Sequence, residues 1–235
     1  MNIGFIILCR FNSSRLPGKI LRDIGGEPLL GVLLKRLEPL SYQNVIVATS
    51  VAETDNVIAD YCRIKQIKCY RGSLENVAER FLNCALHFNL DYAVRINGDN
   101  LFADASLIKQ LSDQAVHDDF DFVSNVPGRT YATGMSIEVV RATLYRHAYE
   151  LFKHDQHYCE HVTLFLYDHP EHAGRHLYIL NQDFPEAIGA KMAIDTLEDL
   201  EDAEKIISLL GNRRNQASWK EIITLKRKLN EQLEG

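Results

Sequence analysis

Apolar residues along this chain fall into two alternating rhythms. Short continuous runs at residues 3–9, 44–49, 67–70, 92–96 and 121–124 read as strands buried on both faces. Between them apolar positions recur at helical spacing. Leu29, Leu30, Leu33, Leu34 and Leu37 mark a helix over 27–40, and Val57, Ile58, Tyr61 and Ile64 mark one over 54–65. Val77, Phe81 and Leu82 mark a third, which Ser73 would cap, and a fourth spans 105–117. Alternation of this kind with short connections predicts an α/β domain built on a mostly parallel, doubly wound sheet.

The rhythm changes at Pro127 and Gly128. A strand over 134–140, helices over 141–152 and 160–169, and a strand over 175–180 lie outside the simple alternation. Residues 127–182 therefore read as a small α+β insertion within a single domain covering 1–235, placed to form a lid or a dimer contact. A strand over 191–194 then leads to Asp195, and Thr196 with Asp199 forms a capping box for a helix over 197–210. The last helix, 219–233, would bury Trp219, Ile222, Ile223 and Leu229.

Composition narrows the class. Apolar residues at 46% and charged residues at 25% are globular values. A net charge of −6 argues against a general nucleic-acid coat. No apolar run reaches the ~20 residues a bilayer needs, and the first nine residues read as a core strand rather than a leader. A soluble cytoplasmic protein is expected. Its five cysteines, Cys9, Cys62, Cys69, Cys84 and Cys159, are widely spaced without a Cys-x-x-Cys pair and read as reduced thiols.

Candidate chemistry begins at residues 10–19, directly after the first strand. Arg10, Arg15 and Lys19 place three cations within ten residues of an acidic chain, with Ser13 and Ser14 as further donors. Two guanidinium forks and a mobile ammonium suit phosphate oxygens, though a solvated basic loop would look similar. Asp99 and Asp195 each follow an apolar run, so a parallel sheet would bring both to the edge that carries this loop. Two hard oxygen donors facing phosphates suit Mg2+, which keeps several waters. Individually each aspartate reads as well as a turn or helix-terminus charge. His154, His157 and His161 flank Cys159 and Glu160, but helical spacing puts Cys159 on another face, so a zinc site is not the preferred reading.

Taken together, Arg10-x-x-Ser13-x-Arg15-Leu-Pro-Gly-Lys19, Arg71-Gly72-Ser73 followed by Val77, Gly98-Asp99, Glu160-His161-Val162-Thr163 and Asp195-Thr196-x-Glu198-Asp199 resemble the cytidylyltransferase family. The resemblance is to the spore coat polysaccharide cytidylyltransferases and, more remotely, to the CMP-sialic acid and CMP-ketodeoxyoctulosonate synthetases. It implies a Rossmann-like nucleotidyltransferase fold that uses CTP and Mg2+, transfers CMP to a sugar or sugar acid and releases pyrophosphate. By the same resemblance Arg10, Ser13, Arg15 and Lys19 would hold the triphosphate, with Arg71 and Ser73 near the nucleotide. Asp99 and Asp195 would ligate the metal and, with Arg15 and Lys19, form the catalytic set. Gly134, Glu138, Glu160 and His161 would face the acceptor. Partners are then CTP and a small sugar acceptor, without nucleic acid or membrane, in a homodimer.

The chain departs from the family pattern at Leu8, Asn12, Asn100 and Ser136. Two other readings stay in view, the first of them supported by Leu8, Asn12 and Ser136. One is a nucleotide-binding or assembly protein that has lost turnover. The other is a nucleotidyltransferase for a different nucleoside triphosphate with a sugar or polyol phosphate.

Overall fold

The computed structural model describes residues 1–40 and 44–234. Seven strands form one sheet: β1 (Ile3–Leu8), β2 (Val45–Ser50), β3 (Lys68–Gly72), β4 (Tyr92–Asn97), β5 (Phe122–Ser124), β6 (Glu138–Arg141) and β7 (His176–Tyr178). Their order is β3-β2-β1-β4-β6-β5-β7, with β6 antiparallel to both of its neighbours and every other pairing parallel. Nine α-helices accompany them among the described residues: α1 (Leu29–Arg36), α2 (Asn56–Ile64), α3 (Val77–His87), α4 (Ala105–His117), α5 (Ala142–Phe152), α6 (Gln156–Glu160), α7 (Leu164–Asp168), α8 (Leu197–Leu210) and α9 (Trp219–Glu234). The expected mostly parallel sheet with helices on both faces is what forms.

The alternation of side chains along β1 divides the core. Phe5 and Ile7 join residues of α1, α2, α4, α8 and α9 on one face, and Ile6 and Leu8 join α3, α5 and α7 on the other. Both faces being covered, β1 and β2 are buried along almost their whole length and run apolar up to the polar end of β2 at Thr49 and Ser50, which is why their sequences show no alternation. Among the described residues no helix is long and apolar enough to cross a membrane. All five cysteines are unbridged, with only Cys69 less than fully buried.

Four local readings change. The helix expected over 160–169 is confined to α7, because the chain leaves the helix at His161 where α6 ends and re-enters it only at Leu164. Ser73 does not cap α3. Asn76 does, its side chain accepting from the Glu79 amide, while the Ser73 hydroxyl accepts from the Asn76 amide and shapes the turn before it. Residues 134–137 precede the ladder, because Gly134 turns there with φ of 93°, where a Cβ would lie 2.3 Å from the Ala193 nitrogen. Residues 191–194 form no strand. They run beside Thr133, whose carbonyl accepts from Met192 and Ala193, and then reach the Asp99 carbonyl through the Ile194 amide at 3.1 Å. The segment 127–182 also supplies β6 and β7 to the same sheet, with β6 lying between β4 and β5.

Candidate active site

Parallel strands β1, β2 and β4 end at one edge, and the loop after β1 lies there. Its backbone is fastened by Asp55, which is fully buried and accepts from the Phe11 amide at 2.7 Å, the Ser50 amide, the Ser50 hydroxyl and the Thr49 hydroxyl. Burial pushes this carboxyl up, but the four hydrogen bonds outweigh burial and hold it below the usual carboxylate range. Asp55 thus ties the start of the cationic loop to the end of β2.

Across the edge, the Ile194 hydrogen bond to Asp99 sets the two acidic residues side by side. Lys19 reaches between them. Its Nζ lies 3.1 Å from Asp99 Oδ2 and 3.5 Å from Asp195 Oδ1, and donates at 2.6 Å to the Ile194 carbonyl. The Lys19 side chain is only 12% exposed, so this ammonium is a fixed part of the carboxylate pair rather than a free arm. Arg15 is the free arm: its side chain is 63% exposed and touches Asp195 Oδ1 at 2.8 Å. Such exposed pairs contribute about 0–1 kcal/mol, so the guanidinium is available to an anionic ligand. Behind Asp195, the expected capping box is complete, with Asp199 accepting from the Asp195 and Thr196 amides and from Lys191. Those bonds overcome the upward push of burial and hold the Asp199 carboxyl low.

Two cavities meet at this point. The first, about 430 Å³, is lined by Arg10, Ser13, Arg15 and Lys19 of the loop, by Asp99 and Asp195, and by Glu160 and His161. The second, about 500 Å³, lies under residues 127–182 and is lined by Gly134, Ser136, Glu138 and His161. Arg15, Arg95, Asn97, Asp99, His161 and Asp195 line both. Of the expected site residues, Arg71 and Ser73 line neither cavity. The Arg71 guanidinium is spent on the Ser50 and Ala52 carbonyls, each at 2.9 Å, at the end of β2.

Glu138 faces the second cavity but is 2% exposed. Its carboxylate accepts from the Arg95 guanidinium, from the Thr163 hydroxyl at 2.5 Å and from Tyr167 at 3.0 Å. Arg95 and Glu138 are direct partners in the β4–β6 ladder, which fixes the pair. Burial lowers the Arg95 pKa, but Glu138 outweighs it and holds the guanidinium above its usual value. The same burial and the same carboxylate push Tyr167 up. Asp55, Arg80 and Arg95 escaped sequence reasoning. Their one visible signal was a charged residue at a buried position, Arg95 in an otherwise apolar strand and Arg80 three residues after Val77 on the inward face of α3.

Comparison with known proteins follows the same outline. The family model for cytidylyltransferases matches residues 4–230. The spore coat polysaccharide biosynthesis protein SpsF of Bacillus subtilis is 33% identical over 232 residues, covering 95% of this chain and 93% of its own. The structure of a cytidylyltransferase from Leptospira borgpetersenii superposes with a TM-score of 0.90 at 26% identity, covering 98% of this chain and 96% of that one. CMP:2-keto-3-deoxy-manno-octonic acid synthetase, solved with CTP, shares the fold with a TM-score of 0.64 at 17% identity, over 89% of this chain and 99% of its own.

Proposed function

Because the chain belongs to the cytidylyltransferase family, we propose that it transfers CMP from CTP to a sugar or sugar-acid acceptor, with release of pyrophosphate, for surface polysaccharide or glycan synthesis. One observation carries this reading. Asp99 and Asp195, on backbone segments bonded to each other, meet Arg15 and Lys19 where two cavities of substrate size join.

In this reading the first cavity takes CTP and the second takes the acceptor. Arg10, Ser13 and Arg15 bind triphosphate oxygens, Arg15 exchanging part of its contact with Asp195 for phosphate. Lys19 acts one step back, holding the two carboxylates in place. Arg71 supports the nucleotide side by fixing the end of β2, and Ser73 by its carbonyl contact with Arg80. On the acceptor side, Gly134 lets the backbone approach closely, Glu138 fixes Arg95, and Glu160 and His161 stand exposed at the rim. An acceptor oxygen attacks the α-phosphorus in line. The new O–P bond forms as the bond to the bridging oxygen of pyrophosphate breaks, and a hydroxyl nucleophile loses its proton to solvent. Positioning and electrostatics supply the catalysis, with Arg15 stabilising the departing pyrophosphate.

Asp99 and Asp195 would hold Mg2+. Their chemistry fits: both carboxylates lie within reach of the same Lys19 ammonium through one oxygen each, so they are close enough to share a second cation through their other oxygens, with water and phosphate completing its shell. When bound, the ion supplies charge neutralisation at the phosphates and lowers the pKa of an attacking hydroxyl. We place the protein in the cytoplasm as a homodimer, a state that light scattering after size exclusion would test. The deciding assay for the reaction is pyrophosphate release with Mg2+ and each of CTP, UTP, GTP and ATP against ketosugar acids, sugar phosphates and polyol phosphates. Release requiring CTP and one acceptor is expected. Release with another nucleotide alone would overturn the assignment.

A further inference from the structure

In the reading above the nucleotide comes from one cavity and the acceptor from the other, so the reacting α-phosphoryl group lies among the six side chains that line both. Asp99 and Asp195 of this set go to the metal. Arg15, the exposed arm of the loop, goes to the departing pyrophosphate. The non-bridging oxygens of the α-phosphoryl group are left without a donor from the protein, and one cation of the set, Arg95, is left without a ligand.

The sheet places Arg95 for that task. β4 is the middle strand of seven, and its side chains alternate: Val94 and Ile96 enter the core on one face, and Ala93 joins Leu8 on the other. Arg95 and Asn97 follow Ala93 on the face of α3, α5 and α7, and step from the core to the edge where Asp99 stands. Arg95 Nη1 donates to Glu138 Oε2, its partner in the ladder, and Glu138 is held in turn by Thr163 and Tyr167 through Oε1. The Arg95 side chain is 18% exposed, and since it lines both cavities that exposed part faces the junction.

Stability does not account for an arginine here. Well-packed apolar residues commonly replace a buried ion pair with no loss of stability. This pair carries a further cost, because Arg95 Nε is buried with no hydrogen-bond partner among the described residues. A guanidinium has five N–H donors in one plane, so a contact to Glu138 through Nη1 leaves donors for a ligand oxygen.

We propose that Arg95 is a catalytic residue, whose guanidinium donates to a non-bridging oxygen of the α-phosphoryl group. Glu138 is its positioning residue. As the acceptor oxygen bonds to phosphorus and the bridging oxygen leaves with pyrophosphate, negative charge spreads over those oxygens, and a donor already fixed by Glu138 needs no reorganisation to meet it. Arg95 keeps its proton throughout, since a guanidinium does not deprotonate in a protein.

The proposal rests on the CTP reading, and calorimetric titration with cytidine, CMP and CTP in the presence of Mg2+ tests the two separately. CMP carries the α-phosphate alone, without the pyrophosphate that the cationic loop would hold. Wild-type protein is expected to bind CMP about 10- to 100-fold more tightly than cytidine, the range of a hydrogen bond to a charged group. Removing Arg95 alone would leave Glu138 buried and uncompensated, so the informative variant replaces the pair, Arg95→Met with Glu138→Leu, and stays folded by exchanging the ion pair for apolar packing. In it the preference for CMP over cytidine falls to within about threefold while cytidine affinity holds. Arg95→Lys keeps the charge but loses the planar fork, and weakens CMP about tenfold. A CMP to cytidine ratio unchanged from wild type, in the paired variant or in Arg95→Lys, would make the pair purely structural and overturn the proposal, leaving the CTP reading standing. Wild-type protein that binds none of the three ligands would overturn the CTP reading, and the proposal with it.

Discussion

At the scale of single residues, charge at the junction is balanced by contact rather than by solvent. Asp99 and Asp195 share the Lys19 ammonium, and Lys19 has little exposure with which to do anything else. Lys19→Met should therefore leave two adjacent carboxylates uncompensated and lower kcat by about 10²- to 10³-fold, the cost of losing one preorganised group. Asp195→Asn should lower turnover at least as far with little loss of stability, because Asp195 keeps its backbone bond to Asp199. Steady-state kinetics beside a urea titration separates the two effects, and full activity in Asp195→Asn would refute the two-carboxylate metal assignment. Asp55 makes the opposite case. Asp55→Asn should cost about 3 kcal/mol, since it weakens a fully buried carboxylate that satisfies four donors. The folded-state pKa is depressed, so this contribution is present above the unfolded value near pH 3.9 and is lost as pH falls through the lower folded value. Urea midpoints of wild type and variant should differ by a constant amount from about pH 5 upward and converge below about pH 4.

Elements were legible where one periodicity ruled. Helices α4 and α8 begin and end where the apolar spacing and the capping box place them, because local signals and tertiary packing agree there. The cap of α3 was misread for want of a local discriminator. Ser73 and Asn76 are both good caps, and the tertiary contacts that decide between them, the Asn76 amide on the Ser73 hydroxyl and Arg80 on the Ser73 carbonyl, are invisible in the spacing. Asn76→Ala should accordingly cost about 1 kcal/mol in thermal or urea unfolding, and Ser73→Ala less, the reverse of what the sequence pattern implies. The run before Asp195 failed as a strand for a different reason. Three apolar residues, Met192, Ala193 and Ile194, can be buried beside a loop as well as in a ladder, and Thr133, far away in sequence, offers the carbonyl that decides it. The cationic loop, both aspartates and His161 were readable as a spaced set. Asp55, Arg80 and Arg95 were not, because each acts through partners that are remote in the chain or hidden in a turn.

For the molecule as a whole, the two cavities are separable by the parts of the chain that build them. The loop after β1 and the start of α3 build the first cavity, proposed for the nucleotide, and residues 126–167 build most of the second, proposed for the acceptor, with Arg95 lining both. Glu138 belongs to the second side. Breaking its pair with Arg95 removes one partner of a buried ion pair, so Glu138→Gln should lower stability by about 3 kcal/mol. It should not remove the nucleotide wall. CTP at about 100 times its Kd adds about 2.7 kcal/mol to a protein that binds it only when folded. At this chain length each kcal/mol is worth roughly 2–4 °C, so the rise in Tm should be about 5–10 °C. The same rise should appear in Glu138→Gln from its lower starting Tm, while acceptor-dependent pyrophosphate release falls. If CTP no longer raised the Tm of the variant, the two sides would be one cooperative site, and the division of substrates between the cavities would be wrong.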